Sequence, residues 1–191
     1  MLVYKSLLTL FASRLVVGGV LGTRDNNQFR LYAYGGGISG AQVFYSNGAA
    51  FVGNQTQMDD NEAASVMFTT GPNDAFIGNP DMQSSRGVPS WTNKALYIPT
   101  SKSASHDVGF TSSESAGSGT DSDIDTTGFI FYDAHALHVN ADNSLSGLWY
   151  LLPTQSHRVW SLHWNATGGK DDGHLSVTLR SVAPAQPFDL A

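Results

Sequence analysis

The side chains able to do chemistry are few and scattered, with six histidines and sixteen acids among 191 residues and no cysteine. His163 and His174 flank a Gly-rich segment that carries Asp171 and Asp172. If the flanking runs form a hairpin, both imidazoles fall on one polar face, and imidazoles with a carboxylate suit zinc or copper. Exposed β faces also carry isolated histidines, so no metal or other cofactor is expected here. His135 and His138 point to opposite faces of a strand and do not form a simple ligand pair. His135 shares its face with Leu137 and Val139, which makes it the expected buried member. Together with Asp133, it is the candidate proton-handling group if the protein is an enzyme.

Other constellations are weaker. His106 and Asp107 are adjacent, but a base and its orienting acid must meet in space. Asp121, Asp123 and Asp125 alternate like the start of a calcium loop. Thr126 and Tyr132 stand where such a loop needs Gly and Glu, so a solvated acidic loop is the better reading. No G-x-S-x-G occurs, so serine-nucleophile chemistry is not expected. A glycosidase needs paired carboxylates across a cleft, and no Glu follows Glu114. The run from Gly35 to Gly40 lacks the lysine and the following helix of a phosphate loop, and reads as a turn between strands. Aromatic residues instead recur on both faces of the proposed strands. Tyr132, Trp149 and Tyr150 are the ones expected to hold a sugar or an apolar small molecule.

The elements that position these groups are short. Apolar or alternating runs at 29–34, 41–45, 49–53, 64–69, 95–98, 108–111, 128–132, 136–139, 148–152, 158–164 and 174–180 are separated by Gly, Asn, Asp, Ser and Pro. Eleven such runs without a 3.6-residue stripe predict an all-β antiparallel sandwich or closed barrel. The last two runs read as a hairpin with Trp160, Leu162 and Trp164 on one face and Ser161 and His163 on the other. A weak internal likeness relates Val43–Phe44–Tyr45, Ala49 and Val52 to Ile130–Phe131–Tyr132, Ala136 and Val139, offset by 87 residues; chance similarity between two hairpins is the favoured account. Residues 112–127 form a polar, acidic stretch read as a mobile loop within one domain spanning 23–191.

Composition narrows the function classes. Charged residues are 14%, and there is no basic cluster to neutralise phosphates, so nucleic-acid binding is not expected. The start has the parts of a secretory signal: Lys5, an apolar stretch interrupted by Arg14, and Val20 and Gly22 at the positions before a cut. Cleavage after residue 22 would remove those two positive charges and take the formal charge from −6 to −8. Arg14 also breaks the run of about 20 apolar residues that a membrane anchor needs. Sequons at Asn54 and Asn165 support export and predict glycosylation.

At 29–34, 95–98 and 148–153, the F-x-L-x-A and A-L-Y-I strands and the aromatic strand ending in proline resemble small secreted proteins of filamentous fungi. Among such proteins, the chain resembles the phialide-associated cell-wall protein family. That resemblance implies a secreted, wall-associated protein without a transferable catalytic motif. In general form, the chain is also similar to small exported hetero-Diels–Alderases of fungal secondary metabolism. That likeness implies an aromatic pocket holding two reactants, with no cofactor. The expected protein is therefore a secreted, extracellular or wall-bound β-sandwich that binds cell-wall glycan or an apolar small molecule. The alternative is a cofactor-free cyclase or pericyclase using His135 or Asp133.

Overall fold

Every one of the eleven runs forms strand, and the computed structural model adds three strands and splits the last run in two. It describes residues 28–85, 87–115, 123–168 and 172–186. The proposed signal segment 1–22 lies outside the described residues, as do 116–122 of the acidic stretch. In chain order the strands are β1 (Tyr32–Gly35), β2 (Ile38–Ser46), β3 (Ala49–Gly53), β4 (Ala64–Thr70) and β5 (Phe76–Pro80). Next come β6 (Lys94–Pro99), β7 (Gly109–Ser112), β8 (Ile124–Asp125), β9 (Phe129–Tyr132) and β10 (His135–Val139). The last are β11 (Leu145–Ser146), β12 (Trp149–Pro153), β13 (Val159–Trp164), β14 (Leu175–Ser176) and β15 (Thr178–Arg180).

Six antiparallel strands close a barrel in the order β2, β4, β5, β6, β7, β3 and back to β2. Closure leaves those strands without a free edge. Asn47–Gly48 makes the β2–β3 hairpin, with both residues at positive φ (48° and 83°), as this tight turn requires. Val43, Val52, Val66, Phe68, Phe76 and Leu96 are buried in the core. Each such side chain contributes about 1.5–3 kcal/mol on burial. The N-terminal half of β2 leaves the barrel to pair with β1, which leads through β15 to β10. On the other side, β13 adds to β3, and β12 and β14 follow.

The C-terminal hairpin expected from the sequence does not form. β12 lies between β13 and β14, and the run 174–180 divides, its first part pairing with β12 and its second with β1. The alternation was read correctly, since Val177 and Leu179 are buried, but alternation does not identify a strand's neighbour. Both halves of the internal likeness are hairpins in different registers, because Tyr45 pairs with Ala50 and Tyr132 with His135. The acidic stretch is not all loop: β8 pairs with the end of β6, and Thr100 N–H donates to Asp123 O (2.9 Å).

His138, and not His135, is the inward histidine of β10. Its neighbour on that face is Ala136, and its Nε2 donates to Asp125 Oδ2 at 3.1 Å. Burial pushes the Asp125 carboxyl upward, but hydrogen bonds from His138 and Thr127 outweigh it and hold the group below its ordinary value. A depressed folded value means the contribution is complete above the unfolded carboxylate value of about 3.9 and is lost as pH falls through the lower folded one. Asp125→Asn should thus be less stable than wild type in urea at pH 7, with the gap narrowing below about pH 4. A gap that does not change with pH would contradict this role.

Candidate functional site

A cleft of about 370 Å³ opens where β13 changes partners. β3 runs beside β13 as far as the Phe51–Ser161 pair. Beyond it, residues 106–108 take over the edge: Val108 N–H donates to Leu162 O (3.1 Å), Trp164 N–H donates to His106 O (2.9 Å), and Asp107 bridges His163. The cleft lies at that exchange, lined by Asn47, Phe51, Tyr97, Asp107 and Ser161 among others. Gly109 makes room for Tyr97, since a Cβ there would come within 2.6 Å of the phenol oxygen. Burial and the nearby Asp107 charge both raise the Tyr97 phenol, which keeps its proton.

Ser161 and His163 stand two residues apart on one face of β13, as period two requires. Ser161 Oγ lies 2.7 Å from His163 Nε2, and His163 Nδ1 lies 3.2 Å from Asp107 Oδ1. An ionised carboxylate only accepts, so Nδ1 carries the ring proton and Nε2 is left to accept from the serine. Ser161 Oγ also lies 3.3 Å from Leu152 O, a longer alternative acceptor. Tyr150 packs beside His163 (ring centroids 5.1 Å apart, 25° between planes) and His174 (4.2 Å, 6°). Its hydroxyl is 2.9 Å from His106 Nδ1. That arrangement holds the His163 ring edge-on to Asp107 and Ser161.

No protein-family model, curated protein or solved structure matches the chain.

The residues expected to bind ligand are not brought together. Tyr132 is 69% exposed at the end of β9, whereas Trp149 and Tyr150 are 3% and 1% exposed. Trp149 donates from Nε1 to Ala136 O (2.9 Å) and packs on Trp164 (4.6 Å, 72°). Tyr150 faces the opposite way, into the histidine group. Asp133 sits at positive φ (55°) in the exposed turn between β9 and β10, beside the half-buried His135. Neither lines the Ser161 cleft or the second cleft of about 290 Å³ around Arg30 and Asp81. In that second cleft, Arg30 is committed to Asp81 through two hydrogen bonds (2.6 and 3.0 Å).

Tyr150 separates His163 from His174, so the two imidazoles do not converge as a hairpin would have made them. Among the described residues, no group of three or more His, Cys, Asp or Glu side chains is placed to hold a metal; Asp171 lies outside them. Asn54 of the first sequon follows β3, with its carboxamide oxygen accepting from Thr56 N–H (3.0 Å) and Oγ1–H (2.7 Å). Asn165 follows β13 and is half-buried. Sequence reasoning missed Ser161, Asp107, Phe51 and Tyr97 as a site. The Ser-x-His spacing on one strand face was the available signal, but Asp107 arrives from 56 residues away.

Proposed function

We propose that this protein is a secreted, wall-associated β-barrel that binds a saccharide in the cleft beside Ser161. The observation that carries this reading is the cleft's lining: two aromatic rings, Phe51 and Tyr97, beside the carboxylate of Asp107, the amide of Asn47 and the hydroxyl of Ser161. Aromatic rings cover the C–H faces of a sugar, while carboxylate, amide and hydroxyl groups satisfy its hydroxyls. The polar groups favour glycan over a wholly apolar ligand. The leader-like start and the two sequons support export, glycosylation and a place at the wall. A cyclase built on His135 and Asp133 receives no comparable support, because those residues flank an exposed turn.

Isothermal titration with soluble β-glucan and chitin oligosaccharides tests the proposal. Saturable binding is expected, with Tyr97→Ala weakening it at least about tenfold by removing one stacking face and one donor. Absence of binding by either series, or binding unchanged in Tyr97→Ala, would overturn the reading.

A further inference from the structure

We infer that Ser161, His163 and Asp107 form a nucleophile, base and orienting acid that transfer the acyl group of a small ester. The inference uses the same cleft and rests on the saccharide reading only for the alcohol half of a natural substrate, an O-acylated sugar. It rests on contacts already described: serine to Nε2 at 2.7 Å, Nδ1 to Asp107 at 3.2 Å, and both end residues on the cleft wall. The order of atoms is that of a serine hydrolase relay, reached here on one strand and a neighbouring segment without a nucleophile-elbow motif. His163 is 7% exposed, and the Tyr150 ring beside it limits its rotation. Ser161 remains half-buried and open to the cleft.

The chemistry balances without any further cofactor. Ser161 Oγ forms a bond to the acyl carbon as its proton passes to His163 Nε2. Collapse breaks the ester C–O bond, and the leaving alcohol takes that proton from Nε2. Water then attacks the acyl-serine, its proton passing to Nε2 and from there to the departing Ser161 Oγ. The free acid and the original side chains result. Asp107 is a positioning residue that holds the ring in the useful tautomer. Tyr97 supplies a hydroxyl donor in the same cleft for charge developing on the carbonyl oxygen.

The test treats the full chain with a fluorophosphonate probe, maps the adduct by peptide mass spectrometry, and measures p-nitrophenyl acetate hydrolysis. A label on Ser161 is expected. Ser161→Ala should abolish it and reduce hydrolysis about 10²-fold or more, while circular dichroism stays native. Asp107→Asn should lower kcat at least about tenfold with KM nearly unchanged, a split that a merely structural aspartate would not produce. Because His163 packs on Tyr150 and its replacement can disturb folding, Ser161→Cys provides a second nucleophile variant. It should retain labelling, now by iodoacetamide, at a rate that falls in the Asp107→Asn background. Hydrolysis unchanged in Ser161→Ala, or no adduct at Ser161, would overturn the relay. Neither assay contains a sugar, so failure of oligosaccharide binding with labelling intact would overturn the saccharide reading alone.

Discussion

Trp149→Ala is expected to destabilise the protein by about 3–5 kcal/mol, the range for deleting a buried indole. The ring is 3% exposed and joins the core group that contains Phe129 and Trp164. Its Nε1–H donates to Ala136 O, so truncation also leaves a buried carbonyl of β10 without that partner. An unsatisfied buried acceptor costs about 1–3 kcal/mol. Trp149→Phe separates the two contributions, because it keeps an aromatic ring and loses the donor. It should cost about 1–3 kcal/mol and leave oligosaccharide binding intact. Urea unfolding followed by circular dichroism measures both variants. Wild-type stability in Trp149→Ala with impaired binding would restore this residue to a ligand-binding role.

That contrast explains how far the sequence could be read. Period-two alternation showed where strands lie, and all eleven runs are strand. β5 escaped because its Gly78–Asn79–Pro80 segment has turn composition; the missing Cβ of Gly78 instead lets Val66 pack within 2.6 Å of its place. Alternation says which residues share a face but not what lies opposite. Ser161 and His163 were therefore visible as a pair, while Asp107, Tyr97 and Phe51 required the closure of the barrel. The same gap produced the false C-terminal hairpin, since nothing local to β13 and β14 reports that β12 enters between them. Likewise, the apolar neighbours of His135 suggested burial, but Asp125 and a tight core made His138 the inward ring. Aromatic residues on both strand faces seemed too numerous for one core. In the folded chain, among the described residues, only Tyr132 remains an exposed aromatic, and the others are buried or half-buried.

Gly53→Ala should show how tightly the site depends on the β3–β13 seam. Gly53 pairs with Val159, two residues before Ser161, and adopts φ 121°, a conformation that L side chains rarely take. A Cβ at this position would overlap the carbonyl oxygen of Arg158. That obstacle is backbone within the same seam, so it cannot swing aside as a flexible side chain would. Strain of about 1–3 kcal/mol and a similar overpacking cost together predict a loss of about 2–6 kcal/mol. Gly37→Ala is the matched control, with positive φ (86°) but nothing within 4 Å of the added methyl, and should lose only about 1–2 kcal/mol. Relief of the overlap requires β13 to shift against β3, which would move Ser161 relative to Phe51 across the cleft. Gly53→Ala should therefore weaken oligosaccharide binding and Ser161 labelling even under conditions where the chain remains folded, and Gly37→Ala should change neither. Equal stability losses in the two variants, with an undisturbed cleft in both, would mean that β13 reaches its place over the cleft without this seam.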